Sequence, residues 1–226
     1  MKKNAFTLAE VLIVIAIIGI VATVTLPNLN KSTSDAETVA KVKKTVATLQ
    51  TAYDMAKEKY GEDLSTWIAD DTTAADQATR FGTRISQYLS VSKICGLSTN
   101  QGCFSSSNVA RISVNSSVTS MDKNSNYYKV ILNDGTSLAI TSSRSVYFDV
   151  DGPNKGYNTY GRDIFLAAFS VEGNSSLVSP TTFNNAAFTN SCRSGTAVFC
   201  TAWIMNFDNM DYVKCSGLTN AKRTCH

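Results

Sequence analysis

The chain opens with the stretch MKKNAFTLAEVLIVIAIIGIVATVTLPN, residues 1–28, which sets the architecture of the protein. Residues 1–5 are polar and basic, and an apolar run follows from Phe6 to Leu26, in which Glu10 is the single charged residue. At the rise of an α-helix, a run of this length covers about 31 Å, which matches the hydrocarbon core of a bilayer. The stretch therefore predicts a membrane-spanning helix at residues 6–30.

A cleaved secretory signal is the obvious alternative, because such signals also combine a basic start with an apolar run. They end in a small-residue cleavage site of the A-x-A type after the run. Here the run ends in Thr25-Leu26-Pro27-Asn28 and leads directly into a second helical pattern. We therefore expect the apolar segment to remain attached to the chain.

Glu10 is the anomaly in this run. A carboxylate inside an apolar span costs about 2.5–3.5 kcal/mol at the bilayer centre and less near an interface. Glu10 therefore either lies among the lipid headgroups of an ordinary anchor or has a cationic partner that neutralises it.

The neighbours of Glu10 decide between these alternatives. The run Ala5-Phe6-Thr-Leu-Ala-Glu10-Val-Leu-Ile resembles the N-terminal signature of type IV pilins and type II secretion pseudopilins. The resemblance implies that a prepilin peptidase cuts between Ala5 and Phe6 and methylates the new amine of Phe6. Glu10 then becomes the fifth mature residue, which in this family contacts the N-terminal amine of a neighbouring subunit. Ala5 stands where the family usually has glycine, a departure that we expect to affect the cleavage rate more than the cleavage itself.

Pro27 predicts a break in the helix, because proline removes one backbone donor and clashes with the preceding turn. In pilin-like proteins a proline near this point lets the helix loosen as subunits leave the membrane and pack. Simple termination of the transmembrane helix at Pro27 is the alternative.

Residues 31–60 predict an amphipathic continuation of the helix, with Gly61 as its stop. Apolar residues recur there at steps of three and four: Val39, Val42, Val46, Leu49, Tyr53, Ala56 and Tyr60. The resemblance implies that this stripe packs against a globular head, residues 61–226. A free coiled coil is the alternative, but the pattern covers only about three heptads, near the minimum for that structure.

The head is predicted to be α+β, so that a long N-terminal helix packs on a small antiparallel sheet with disulfides. A short helix is expected at Ala74–Leu89, and Asn133-Asp134-Gly135 is a strong hairpin signal between two strands. Thr201–Phe207 fits either a helix or a strand. The strand patterns lie at Val109–Val118, Tyr127–Leu132, Ser137–Thr141, Val146–Val150 and Ile164–Val171.

All six cysteines lie in the head. An even number outside the apolar segment predicts disulfides formed outside the cytoplasm. A zinc site is a weak alternative, because the chain has no C-x-x-C and its single histidine is His226. Sequential pairing is the simplest arrangement, although Cys200 and Cys215 are close enough in sequence to exchange partners. It gives the bridges Cys95–Cys103, Cys192–Cys200 and Cys215–Cys225.

A loop between two predicted strands is a candidate Ca2+ site. An Asp-x-Asp-Gly start is typical of calcium loops, and some pseudopilins carry a calcium ion in a loop of the head. The loop is not an EF-hand, because the terminal glutamate is missing and Pro153 interrupts the spacing. An ordinary long turn, which uses the same residue types, is the alternative. The candidate ligands are Asp149, Asp151, Asn154, Asn158 and Asp163.

Composition argues against several other functions. The 21 Lys and Arg residues against 18 Asp and Glu leave a net charge of +3, too small to indicate a nucleic-acid partner. An enzyme is not expected either, since the single histidine is terminal and neither G-x-S-x-G nor C-x-x-C occurs.

The sequence therefore predicts a structural subunit of a type IV pilus or a type II secretion-like pseudopilus, with residues 1–5 as a leader peptide. The resemblance implies four partners: other pilin or pseudopilin subunits, the prepilin peptidase, an inner-membrane assembly platform, and membrane lipid before assembly. The precursor would cross the bacterial inner membrane once, with its head outside the cytoplasm, and would then enter a periplasmic or cell-surface filament. A membrane-tethered adhesin or binding module that does not polymerise is the alternative. It predicts the same anchor but gives no role to Glu10 or to the leader cut.

Overall fold

The computed structural model describes residues 8–169, 188, 192–195 and 198–225, with side chains at all of these except 21–33 and 198. The chain divides into two compact units, Met1–Glu37 and Thr38–His226. The first helix, α1 (Leu8–Tyr60), contributes residues to both. An antiparallel sheet and further helices in the second unit confirm the α+β class.

The second unit is built on a five-stranded antiparallel sheet. In their order across the sheet, the strands are β1 (Val91–Gly96), β4 (Tyr128–Leu132), β5 (Ser137–Ile140), β6 (Ser145–Asp149) and β7 (Ile164–Ala168). The predicted hairpin around Asn133-Asp134-Gly135 is confirmed, because β4 pairs with β5 and Gly135 adopts the positive φ that its turn requires.

Two elements differ from the sequence predictions, and the structure decides a third that the sequence left open. The strand expected at 109–118 is a small hairpin of β2 (Val109–Ala110) and β3 (Ser117–Val118), because the intervening Ser113 donates its N–H to the carbonyl of Arg193 instead of a ladder partner. The apolar segment near the C-terminus is a helix, α3 (Val198–Phe207). Helix α2 (Ala74–Ser86) ends before the predicted boundary, since the next bonds, such as Leu89 N–H to Ser86 carbonyl, are of the tighter i,i+3 type.

The core of the second unit includes the apolar stripe of α1. Six of the seven predicted stripe residues are buried, and Tyr60 is partly buried against the same cluster. The ring of Tyr53 lies 4.9 Å from that of Phe169, just beyond β7. This burial favours packing within the unit over a free coiled coil. Gly61 ends the helix as predicted, with a φ of +95° and its N–H donated to the Lys57 carbonyl.

The helix continues through Pro27, contrary to the predicted break. Proline deletes one hydrogen bond, but the turns before and after it retain theirs, so a helix can bend without ending. The side chain of Pro27 lies outside the described residues. That the helix loosens at Pro27 stays a prediction. In the part of the chain that the structure describes, no helix combines the length and apolarity needed to cross a membrane. The membrane-spanning role of residues 6–30 likewise stays a prediction.

Candidate functional site

The first described turns of α1 carry large apolar side chains in unusual density. Residues 11–15 are five consecutive apolar residues, more than one full helical turn, so the apolar surface surrounds the helix. All are exposed, from 49% at Val11 to 60% at Ile13, and Leu8 reaches 80%. An apolar surface of this extent is unfavourable in water and marks a contact with another protein or with lipid.

Glu10 lies in the first turn of α1 and is exposed. With Val11, Val14 and Ile15 it lines an open depression on the surface of the helix. A carboxylate in the first turn of a helix interacts favourably with the helix dipole. A cation placed against Glu10 would meet apolar surroundings that strengthen the attraction. Ala5 and Phe6, the predicted processing residues, lie outside the described residues.

The second unit is held by three disulfides, and its described cysteines are all paired. The bridges join the sequential pairs Cys95–Cys103, Cys192–Cys200 and Cys215–Cys225, with Cα separations of 6.3, 4.8 and 5.8 Å. Cysteine binds zinc only as a free thiolate, so these bridges leave no cysteine for the zinc alternative.

The Cys95–Cys103 loop is ordered by a buried carboxylate that the sequence did not reveal. Asp122 accepts hydrogen bonds from the backbone N–H groups of Gly102 and Cys103, both at 3.0 Å. The fully buried Lys129 donates from Nζ to the carbonyl of Asn124 at 2.6 Å. Burial lowers the pKa of Lys129, and the nearby negative charge of Asp122 opposes that shift. We assign both residues to the structure of the loop.

Two buried carboxylates shape the candidate calcium loop. Oδ1 of Asp149 accepts hydrogen bonds from the N–H groups of Asp151 and Gly152, at 3.1 and 3.0 Å. Asp163 accepts from the N–H of Thr159 at 2.7 Å and from that of Asn158. Both carboxylates therefore serve as acceptors for the turn backbone, as Asp commonly does in loops.

The same burial perturbs both acids. Burial raises the pKa of Asp149 to about 8, and the negative charge of Asp163 adds to the increase. The N–H groups of Asp151 and Gly152 favour the ionised form and oppose it. Burial also raises the pKa of Asp163, against the opposing effect of the backbone N–H groups led by Thr159.

Most of the predicted calcium ligands contact other groups of the protein in the structure. Among the described residues, no group of three or more His, Cys, Asp or Glu side chains could hold a metal ion. Asp151 instead lies 2.8 Å from the Nζ of Lys41, and Asn154 is exposed. The amide of Asn158 donates to the carbonyls of Ser107 and Asn108. Calcium binding stays a prediction.

Comparison with known families identifies the N-terminal segment. Residues 1–26 match the model of the prokaryotic N-terminal methylation motif. The match spans both Phe6 and Glu10 and confirms the signature of type IV pilins and pseudopilins at this end of the chain. No curated protein and no solved structure matches the chain.

Proposed function

We propose that this chain is a non-enzymatic structural subunit of a type IV pilus or of a type II secretion-like pseudopilus. The single observation that carries the proposal is the methylation motif on residues 1–26. Proteins with this motif form a structural class, and the motif supports a precursor that is processed and then assembled with other subunits.

Processing would separate Ala5 from Phe6 and leave Phe6 as a methylated N-terminus. The support is the position of both residues inside the matched segment. The basic residues Lys2 and Lys3 would stay on the cytoplasmic side, as positive residues beside an apolar span generally do. The prepilin peptidase would therefore act at the cytoplasmic face of the membrane.

Assembly would cover the exposed apolar side chains of residues 8–20. Before assembly, lipid would surround them, and afterwards the corresponding helices of neighbouring subunits would replace the lipid. Glu10 would then meet the N-terminal amine of a neighbour, because a carboxylate in apolar surroundings is stable only with a cationic partner. The inner-membrane assembly platform would carry out this exchange, and the disulfide-bonded head would face the periplasm or the cell surface.

Intact-mass analysis of protein purified from the native membrane tests the proposal. We expect the loss of residues 1–5 and the addition of one methyl group at Phe6. Protein from cells that lack the prepilin peptidase is the control, and it should keep Met1 and carry no methyl group. Retention of Met1 in the native host, or cleavage after residue 20, would contradict the proposal. Correct processing without incorporation into filaments would favour the tethered adhesin instead.

A further inference from the structure

A cavity in the second unit is lined by two arginines. It has a volume of about 280 Å3 and is bounded by Arg111, Ile112, Thr159, Arg162 and Val213. This volume is just below the range for small-molecule sites, which is about 300–1,000 Å3. A cavity of this size fits one small polar group and its hydration better than an extended ligand.

Backbone hydrogen bonds join the two segments that carry the arginines. Ala110, immediately before Arg111, donates its N–H to the carbonyl of Asn158 and accepts the N–H of Tyr160. These bonds fasten β2 to the 157–163 loop in a parallel bridge. Within the loop, the N–H of Arg162 donates to the carbonyl of Thr159 at 3.1 Å.

The C-terminal part of the chain supplies a third segment of the lining. Val213 ends a short 3-10 helix, Asp211–Val213. The buried hydroxyl of Tyr212 in this helix donates to the carbonyl of Gly161 at 2.7 Å. Three separate segments therefore meet at the cavity through hydrogen bonds, so that its walls are ordered before any ligand arrives.

Among the described residues, neither guanidinium group has a carboxylate partner. No ion pair joins Arg111 or Arg162 to an acid among the residues that the structure describes. The nearby Asp163 directs its oxygens to the backbone N–H groups of Asn158 and Thr159.

The guanidinium group of Arg162 lies over the ring of Tyr157, 4.2 Å from its centroid. The remaining lining side chains carry no charge, and the hydroxyl of Thr159 donates to the carbonyl of Tyr157.

The protein satisfies only some of the donors of Arg111. Its Nε is buried and has no hydrogen-bond partner among the described residues. Its Nη1 makes one long hydrogen bond, 3.3 Å, to the hydroxyl of Ser116. A buried donor without a partner is costly, and native proteins usually supply an acceptor for it. For an arginine, the acceptor that satisfies several donors at once is an oxyanion.

We propose that the cavity between Arg111 and Arg162 binds a small oxyanion, the terminal carboxylate or phosphate group of a ligand. The two cations supply the charge complement and the planar N–H donors. Ile112 and Val213 supply the apolar part of the lining. The site does not depend on filament assembly, because every residue that lines it belongs to one subunit.

Binding of simple anions to the full-length protein in detergent tests the proposal. Calorimetric titration with phosphate, sulfate and acetate, at an ionic strength held constant with chloride, should show saturable binding of at least one anion. Tight binding of phosphate and sulfate with weak binding of acetate assigns the site to a phosphate group. The reverse order assigns it to a carboxylate.

Arginine variants locate the binding. Arg111→Gln and Arg162→Gln should each weaken it about tenfold or more, because each removes charged hydrogen bonds to the anion. Lys155→Gln is the matched control, since it removes one exposed positive charge just before the 157–163 loop without lining the cavity. It should change the affinity less than twofold if binding is local. Arg111→Lys and Arg162→Lys, which keep the charge, should bind better than the glutamine variants while melting at similar temperatures.

Two results would overturn the proposal. One is the absence of saturable binding of phosphate, sulfate and acetate by the unmutated protein. The other is an equal loss of affinity in Lys155→Gln and in the two arginine variants, which would mean that the anions respond to net charge alone. Melting temperatures measured without anion show whether each variant is folded, so that a loss of binding is not mistaken for unfolding.

Discussion

The ammonium group of Lys41 lies 2.8 Å from Oδ1 of Asp151 and joins α1 to the loop that follows β6. One helical turn on, Lys44 makes the same contact, also at 2.8 Å, with Asp134 in the turn between β4 and β5. Both pairs are partly exposed, and such pairs typically contribute less than about 1 kcal/mol each. The buried apolar stripe must therefore supply most of the free energy that holds this part of α1 in the second unit.

Truncation of the stripe should be far more damaging than loss of these ion pairs. Leu49 is fully buried, so we expect Leu49→Ala to lower the free energy of unfolding by about 2–5 kcal/mol. Met55→Ala, on the same helix but at a position 47% exposed, should change it by less than about 0.5 kcal/mol. Lys41→Ala should cost less than about 1 kcal/mol. Urea denaturation of the detergent-solubilised protein, monitored by circular dichroism, measures the free energy of unfolding of all three variants. Equal losses for Leu49→Ala and Met55→Ala would contradict the packing of the stripe.

The elements predicted correctly are those with a strong local signal. The stripe of α1 follows helical periodicity, and Asn133-Asp134-Gly135 specifies its turn through backbone conformation alone. Strand β1 was missed because it is a sheet edge with two register shifts, so its side chains do not alternate between buried and exposed. Segment 201–207 was ambiguous because it is apolar on every side and has no period.

The candidate sites depend on contacts that no local pattern encodes. Asp122 and the Cys95–Cys103 loop, and likewise Arg111 and Arg162, meet only because the chain folds back on itself. The calcium prediction came from residue types that also build turns. The structure uses Asp149 and Asp163 in that second way, as acceptors for backbone N–H groups.

The stability of the protein should fall as the pH rises toward 8. The pKa of Asp149 is about 8 in the folded state, well above its ordinary value of 3.8, because the carboxyl group is buried. A group with a raised pKa contributes stability below its unfolded pKa, and this contribution is lost as the pH rises through the folded pKa. Asp163, whose pKa is also raised, acts in the same direction. Melting temperatures between pH 4 and pH 9 should therefore decline.

Replacement of Asp149 identifies the source of this decline. Asp149→Asn keeps an oxygen to accept the N–H groups of Asp151 and Gly152 but cannot ionise. We expect a flatter dependence of melting temperature on pH and a more stable variant at pH 9. Asp70→Asn, at an exposed position, is the control and should run parallel to the unmutated protein. A parallel curve for Asp149→Asn would refute the assignment.

The calcium hypothesis can be tested by the same melting experiment. Calcium at 100 times its dissociation constant would add about 2.7 kcal/mol to the free energy of unfolding. We expect the melting temperature to rise with calcium and to fall with chelator, because a cation would relieve the repulsion that Asp149 experiences from Asp163 and Asp151. Asp151→Ala should abolish this difference, and identical melting curves in calcium and in chelator for the unmutated protein would show that the loop is only a turn.

The last prediction concerns Glu10 and separates insertion into the membrane from assembly. Glu10→Leu removes the only charge of the apolar run, so insertion should be unharmed or improved. Incorporation into filaments should nevertheless fall, because the N-terminal amine of the neighbouring subunit loses its partner and an unpaired charge in apolar surroundings is costly. Fractionation of cells into membrane and sheared filament, with immunoblotting of each, measures both quantities.

Two further variants distinguish charge from size at this position. Glu10→Gln has nearly the shape of the native side chain but no charge, and it should fail in assembly as Glu10→Leu does. Glu10→Asp keeps the charge on a shorter side chain and should retain part of the incorporation. Since none of these changes alters the residues beside the cut, each variant should still lose residues 1–5. Normal incorporation of both uncharged variants would show that the carboxylate has no role in assembly, even if processing at Phe6 is correct.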